Sequence, residues 1–95
     1  ENIEFYTKKN LEDNVTVLSQ KNILILKENF FSQSSEVVFR SLTEVIKIVG
    51  KKYYAVRGKK IDKIIDLINT KSSFKVTLGG CIIKKVSETV ILYKE

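Results

Sequence analysis

Residues 74–93 read Phe-Lys-Val-Thr-Leu-Gly-Gly-Cys-Ile-Ile-Lys-Lys-Val-Ser-Glu-Thr-Val-Ile-Leu-Tyr, and this stretch decides the predicted fold. It contains three short runs rich in β-branched and aromatic residues, separated by Gly79-Gly80 and by Ser87-Glu88. A Gly-Gly pair between two such runs is a strong hairpin signal, because a two-residue loop needs the positive φ that glycine adopts freely. The stretch therefore predicts an antiparallel meander of three strands.

The two-residue loop also determines the register of the strands, and hence the face on which each side chain lies. The predicted cross-strand pairs are Leu78 with Cys81, Val76 with Ile83, Phe74 with Lys85, Ile83 with Leu92 and Lys85 with Val90. One face is apolar and is predicted to lie in the core; it consists of Phe74, Val76, Leu78, Cys81, Ile83, Val90 and Leu92. The other face is mixed and consists of Lys75, Thr77, Ile82, Lys84, Ile91 and Tyr93.

Two predicted helices precede the meander and supply the layer that an apolar sheet face needs. Within residues 58–70, isoleucines recur at i, i+3, i+4 and i+7, which is typical of one helix face. A wide apolar stripe within residues 34–49 predicts the other helix, with Ser34 or Ser35 as N-cap and Gly50 as the left-handed terminator. The predicted fold class is α+β, with two main helices packed on a small antiparallel three-stranded meander.

Residues 1–33 are predicted to be an N-terminal connection that includes a short extra hairpin. Val15–Leu18 and Ile23–Leu26 are apolar runs that predict its two strands, although such short runs do not by themselves distinguish strand from helix. Residues 1–14 carry irregularly spaced apolar side chains and are predicted to be the end of a helix shared with an upstream domain. The helix–helix–meander part is predicted to span residues 34–95.

Length and composition predict one soluble domain, because 95 residues with 43% hydrophobic and 29% charged side chains suit a single modest core. No apolar run approaches the ~20 residues of a membrane span, and no secretory signal is apparent. The chain begins with Glu1, which predicts a fragment of a longer protein. The single cysteine, Cys81, excludes an intramolecular disulfide, is typical of a reducing cytoplasmic compartment, and is predicted to be a small buried side chain.

Positive charge is concentrated in the second half of the chain. Residues 1–50 carry six Lys or Arg and seven Asp or Glu, whereas residues 51–95 carry eleven and four. The segment Lys51-Lys-Tyr-Tyr-Ala-Val-Arg-Gly-Lys-Lys60 is typical of nucleic-acid contacts, since cations neutralise phosphates and tyrosine rings stack on unpaired bases. The alternative is a solvated connection whose tyrosines pack at the edge of the core. The predicted RNA-binding residues are Lys51, Lys52, Arg57, Lys59, Lys60, Lys63, Lys75 and Lys84.

The mixed face of the meander leaves two interpretations open. Lys75 and Lys84 either contact RNA there, or they form the rim of a contact in which Ile82, Ile91 and Tyr93 dock against a neighbouring domain.

Residues typical of catalysis are missing from the sequence. It has no histidine, no CxxC or HExxH motif, and no glycine-rich phosphate loop before a helix. Asp62 and Asp66 lie one helical turn apart, which a solvated helix face explains. The sequence therefore predicts no catalytic residue, no metal site and no cofactor in this chain.

The order of these elements resembles the non-catalytic segment that follows the ATP-binding domain in bacterial tRNA(Ile)-lysidine synthases. The resemblance rests on Arg57, on the helix that starts at Lys59, and on a strand that ends in Leu78-Gly79-Gly80. It covers residues 34–95 and is clearest from residue 57 onward. The catalytic signature of that family, Ser-Gly-Gly-x-Asp-Ser, does not occur here, so no catalytic residue is transferred to this chain.

The resemblance implies that the complete enzyme uses ATP, with Mg, to adenylate the wobble cytidine of an isoleucine tRNA and then attaches lysine. This segment would hold the tRNA beside neighbouring domains of the parent chain, in the cytoplasm. Two alternatives stay open: a self-contained basic module that binds RNA or DNA, and a protein-interaction domain whose positive charge is incidental.

Overall fold

A computed structural model describes residues 2–18, 22–51 and 56–95 of the chain. The fold class is α+β, as predicted. The elements in chain order are helix α1 (Ile3–Asn14), strands β1 (Val15–Leu18) and β2 (Ile23–Leu26), a 3-10 turn (Glu28–Ser32), helices α2 (Ser35–Gly50) and α3 (Gly58–Thr70), and strands β3 (Ser73–Leu78), β4 (Cys81–Val86) and β5 (Thr89–Lys94).

The meander β3–β4–β5 has the predicted register. Leu78 lies opposite Cys81, and Ile83 lies between Val76 on one neighbouring strand and Leu92 on the other. The first turn is tight because Gly79 and Gly80 both take positive φ, of 64° and 79°. Every second side chain along these strands therefore faces the helices, as the alternation in the sequence predicts.

The prediction that the sheet has three strands was wrong, because the N-terminal hairpin is part of the same sheet. All five strands are antiparallel, in the order β1-β2-β5-β4-β3. Strand β2 pairs with β5, with Leu24 opposite Leu92 and Leu26 opposite Val90. A three-stranded meander would leave one edge of β5 without hydrogen-bond partners beside a buried core, and β2 satisfies those groups.

Helices α2 and α3 cover one face of the sheet. Helix α2 begins as predicted, with the Ser34 hydroxyl accepting a hydrogen bond from the Val37 amide at 3.4 Å. The side chains of both helices meet those of the sheet in a single buried cluster. It contains Leu26, Phe30, Leu42, Val45, Ile46, Val49, Ile61, Ile64, Ile68, Cys81, Ile83, Val90 and Leu92.

Gly50 does not terminate α2 in the way that the sequence predicts. The left-handed residue is Lys51, at φ 53°, and its amide donates to the Lys47 carbonyl at 2.9 Å. Gly50 is instead the last buried residue of the helix, and a Cβ built on it would overlap the carbonyl oxygen of Gly79. Glycine is required here because the end of α2 touches the β3–β4 turn directly.

Helix α1 is a third helix, which the prediction of two main helices did not include, and it packs on α2 and the 3-10 turn through polar side chains. Asn10 is buried, and its Nδ2 donates to the Phe30 carbonyl at 3.2 Å and to the Ser41 hydroxyl at 3.0 Å. Asn14 donates in turn to Asn10 Oδ1 at 2.8 Å. These hydrogen bonds explain why a helix without an apolar stripe has a fixed place in the fold.

Candidate nucleic-acid interface

The N-terminus of α3 is the centre of the candidate interface. Arg57 occupies the N-cap position with extended backbone angles, and its side chain makes no capping hydrogen bond. The first turn contains no acidic residue and presents Lys59 and Lys60, which are both exposed. The positive end of the helix dipole therefore coincides with a group of cations.

This end of α3 is electrostatically unusual for a helix, because acidic side chains near an N-terminus typically stabilise it by about 0.3–1 kcal/mol each. Lys63 adds a further exposed cation one turn along the helix. Free backbone amides and a positive dipole at a helix N-terminus suit phosphate groups. The arrangement is thus unfavourable for the free protein and favourable for a bound polyanion.

The cations at this site have no acidic partner in the described part of the chain. The ion pairs found there are Lys9–Asp13, Arg40–Glu36 and Lys47–Glu44, all on α1 or α2. None of them involves α3, although Asp62 lies one turn from Lys59 on the same helix. The α3 cations are therefore available to an external anion.

The β3–β4 turn holds the two sides of the basic connection together. Gly50, just before Lys51, contacts Gly79 through backbone atoms. Val56, just before Arg57, also contacts this glycine, since a Cβ on Gly79 would lie 2.8 Å from Val56 Cγ2. The glycine turn thus contacts the chain before and after residues 51–55, while Lys52 lies outside the described residues.

Two of the predicted RNA-binding residues lie elsewhere. Lys75 and Lys84 are directly opposite each other on β3 and β4, on the face of the sheet turned away from the helices. The structure therefore groups Lys51, Arg57, Lys59, Lys60 and Lys63 on the helical side and separates Lys75 and Lys84 from them. The seven described residues of this set are thus divided between the two sides of the sheet.

Lys85 has a role that sequence reasoning missed. It lies on the core side of β4, and its Nζ donates to the carbonyls of Ile68 at 2.6 Å and Lys71 at 2.9 Å. These carbonyls belong to the C-terminal end of α3, where a cation is favoured. A lysine at a core-facing strand position, opposite Phe74 and Val90, was the signal that could have indicated this role.

Cys81 is buried, as predicted. Burial raises the pKa of its thiol from 9.0 to about 12, and a backbone hydrogen bond with Tyr93 opposes this shift only in part. A thiol with so high a pKa is protonated at neutral pH and is a poor nucleophile. Its contribution is to packing.

The Gly79-Gly80 turn does not fit the phosphates of the ATP that the family resemblance implies for a complete enzyme. The Gly79-Gly80 turn is packed against Gly50 and Val56, so it cannot approach a phosphate group as a binding loop does. In residues 2–18, 22–51 and 56–95, no three His, Cys, Asp or Glu side chains are placed to hold a metal ion. No step of ATP chemistry is therefore assigned to this chain.

The helices of the described segments are too short or too polar to cross a membrane.

The chain is similar in sequence to several tRNA(Ile)-lysidine synthases. The tRNA(Ile)-lysidine synthase of Wolbachia pipientis wMel is 30% identical over 91 residues, which are 95% of this chain and 21% of that protein. Those of Rickettsia akari (strain Hartford) and Rickettsia rickettsii (strain Sheila Smith) are 29% and 32% identical over 62 residues, 65% of this chain. These similarities support a distant relationship to the tRNA(Ile)-lysidine synthases.

The matched region is a small part of each relative. It spans 21% of the Wolbachia protein and 14% and 13% of the two Rickettsia proteins. No family model matches the sequence, and no solved structure matches it.

Proposed function

We propose that this chain is the tRNA-binding, non-catalytic part of an enzyme like the tRNA(Ile)-lysidine synthases, acting in the cytoplasm. The observation that supports this most is the N-terminus of α3, where Arg57 makes no capping hydrogen bond, the first turn has no acidic residue, and Lys59, Lys60 and Lys63 are exposed. Lys51 joins them from the end of α2. We call these five residues the α3 basic surface.

The proposed mechanism is positioning by phosphate contacts. Lysine and arginine side chains neutralise backbone phosphates whatever the base sequence, so such contacts hold an RNA in place and orient it. Gly50 and Val56, which adjoin Lys51 and Arg57, both contact Gly79, so the β3–β4 turn links the two parts of the surface. ATP, Mg and the attachment of lysine are proposed to belong to other parts of such an enzyme.

Lys75 and Lys84 are left out of the α3 basic surface because they lie on the opposite face of the sheet. Their predicted contact with RNA stays a prediction. They also supply a matched control, because Lys59→Glu with Lys60→Glu and Lys75→Glu with Lys84→Glu change the net charge by the same amount.

The test is the affinity of the chain for an isoleucine tRNA transcript at low salt, measured by filter binding. We expect the Lys59→Glu, Lys60→Glu variant to lose affinity about tenfold or more, since two phosphate contacts become repulsive, a change of ~1.4 kcal/mol or more. The Lys75→Glu, Lys84→Glu variant should change affinity by less than about threefold, which is ~0.7 kcal/mol.

Equal losses in the two variants would mean that only net charge matters, and would contradict a localised surface. A loss confined to Lys75→Glu, Lys84→Glu would move the RNA contact to the outer face of the sheet. The Lys59→Glu, Lys60→Glu variant should unfold at a higher urea concentration than the unmodified protein, because acidic side chains suit the N-terminus of α3. The midpoint of the Lys75→Glu, Lys84→Glu variant should stay close to that of the unmodified protein, because both lysines lie on the outer face of the sheet. A loss of RNA affinity in either variant is then not a loss of folding.

A further inference from the structure

The sheet face turned away from the helices carries a continuous apolar patch. Strand pairing aligns Leu18, Ile23, Tyr93 and Ile82 in one row across four strands. In the next row, Ile25 lies opposite Ile91. We call Leu18, Ile23, Ile25, Ile82, Ile91 and Tyr93 the outer-face patch.

The outer-face patch is not part of the core. The buried cluster and the apolar side chains packed against it come from the helices and from the opposite side of each strand. Leu18 is 41% exposed, and the five other residues are shielded only in part, as expected for neighbours within a sheet. A sheet with an apolar face normally buries it against a further layer.

A pair of lysines adjoins the patch. Lys84 lies opposite Ile91 on one side and opposite Lys75 on the other. Directly opposed like charges destabilise a sheet, and neither lysine has a carboxylate within salt-bridge distance in the described segments. A negative group placed over this pair would remove the repulsion.

The composition of the patch distinguishes between classes of partner. Unpaired bases bind to sheets by stacking on aromatic rings, and Tyr93 is the one aromatic member of the patch. The five other members are aliphatic, which suits the aliphatic side chains of a protein. Docking a second copy through the same face would bring its lysine pair towards the patch of a chain that already has a net charge of +6.

We propose that the outer-face patch docks an amphipathic protein helix with an aliphatic stripe flanked by Asp or Glu, whose carboxylates face Lys75 and Lys84. Four neighbouring strands span about 14 Å at ~4.8 Å per spacing. A helix of about ten residues covers that distance at ~1.5 Å per residue. This surface is separate from the α3 basic surface, so either proposal can fail alone.

The test uses two synthetic helical peptides that share one leucine stripe and differ only in the flanking residues, Glu in one and Lys in the other. Binding is followed by NMR chemical shifts of the complete 95-residue chain. We expect the Glu peptide to bind about tenfold more tightly and to shift the amide signals of β2, β4 and β5. Lys75→Glu with Lys84→Glu should reverse the preference in favour of the Lys peptide.

Lys59→Glu with Lys60→Glu is the control, because it changes the net charge equally on the opposite side of the molecule. It should leave the preference for the Glu peptide nearly unchanged. Ile91→Asp should weaken both peptides at least tenfold while circular dichroism shows a folded chain. If Ile91→Asp does not fold, the comparison of the two lysine double variants still tests the proposal.

Four results would overturn the proposal. The first is no detectable binding of the Glu peptide at millimolar concentration. The second is a loss of the preference for the Glu peptide in the Lys59→Glu, Lys60→Glu control that is as large as the loss in Lys75→Glu, Lys84→Glu. The third is that the Lys75→Glu, Lys84→Glu variant no longer binds a single-stranded RNA oligonucleotide but still binds the Glu peptide. This result would assign the outer face to RNA. The fourth is a dimer seen by sedimentation and abolished by Ile91→Asp, which would assign it to a second copy.

Discussion

Gly50 and Gly79 meet where the end of α2 touches the β3–β4 turn, and neither tolerates a side chain. We expect Gly50→Ala to destabilise the protein by about 1–3 kcal/mol, the usual cost of overpacking, because the new Cβ would overlap the Gly79 carbonyl oxygen. Since this obstacle is backbone, it cannot rotate away. The free energy of unfolding in urea measures the effect.

Gly58→Ala is the matched control for this substitution. A Cβ at Gly58 would lie 3.3 Å from the Phe39 ring, whose side chain can shift, and the position is exposed in the first turn of α3. Alanine also favours a helix more than glycine does, by about 1 kcal/mol. A larger loss of stability at Gly58 than at Gly50 would contradict the close contact described here.

The buried thiol of Cys81 predicts a loss of stability at alkaline pH. Its pKa is raised from 9.0 to about 12 in the folded protein, so the unfolded chain ionises first as pH rises. Below pH 9 both states hold the proton and this group has no effect. Between pH 9 and about 12 the unfolded state binds fewer protons, and stability falls by up to ~1.4 kcal/mol per pH unit.

Cys81→Ala isolates that contribution, because lysines and tyrosines also titrate in this range. The measurement is the free energy of unfolding in urea from pH 7 to 11 for both proteins. The unmodified protein should lose stability more steeply above pH 9 than Cys81→Ala does. Parallel curves would mean that the thiol ionises as easily in the folded state as in the unfolded state.

At the scale of single residues, sequence reasoning predicts the features that alternation determines and misses those that depend on distant contacts. The burial of Cys81 is a consequence of its position in the hairpin register. The role of Asn10 is not local, because its partners Phe30 and Ser41 are 20 and 31 residues away in the chain. The sequence predicts that Gly50 terminates the helix, because glycine is common at that position. Its contact with Gly79 could not be predicted, because the two residues are far apart in the chain.

Ile82 and Ile83 are adjacent residues of β4 whose side chains lie on opposite faces of the sheet, so substitutions there compare the burial of the two faces. Ile83 is fully buried under the helices, whereas Ile82 belongs to the outer-face patch. We expect Ile83→Asp to unfold the domain, since it buries an unpaired charge, and Ile82→Asp to leave it folded. Urea melts followed by circular dichroism make the comparison, and equal destabilisation would mean that the outer face is as buried as the inner one.

At the scale of elements, the meander and helices α2 and α3 could be predicted because each has a local pattern: a glycine turn, an N-cap serine, or a stripe of isoleucines. The pairing of β2 with β5 could not, because it joins strands more than sixty residues apart and no local signal selects an edge. Helix α1 lacks an apolar stripe, and its place depends on the hydrogen bonds of buried asparagines together with the packing of Leu11 on the core.

The two surfaces for which we propose partners lie on opposite sides of the sheet. The α3 basic surface offers cations, and the outer-face patch offers aliphatic side chains beside a lysine pair. Composition alone indicated the excess of positive charge, but the division of the predicted RNA-binding residues between two faces depended on the sheet. The net charge of the chain cannot distinguish one broad basic surface that binds a polyanion from two separate basic sites.

Salt dependence of tRNA binding makes that distinction at the scale of the whole molecule. Each neutralised phosphate contributes a slope of about −0.7 to −0.9 in log affinity against log salt concentration. The α3 basic surface has five cations, so we expect a slope no steeper than about −4.5. A slope of about −6 would require the lysines on both faces, since seven cations give at most about −6.3, and would contradict a contact limited to α3 and the end of α2.

Substitution of lysines by neutral glutamine measures how many phosphate contacts each face makes. Lys59→Gln with Lys60→Gln removes two cations without introducing repulsion, so the slope should become shallower by about 1.4–1.8. Lys75→Gln with Lys84→Gln removes the same charge from the outer face and should leave the slope unchanged, because those lysines lie across the sheet from the proposed phosphate contacts. If both pairs reduce the slope equally, the RNA reaches both faces, and the acidic helix would have to compete with it for the outer-face patch.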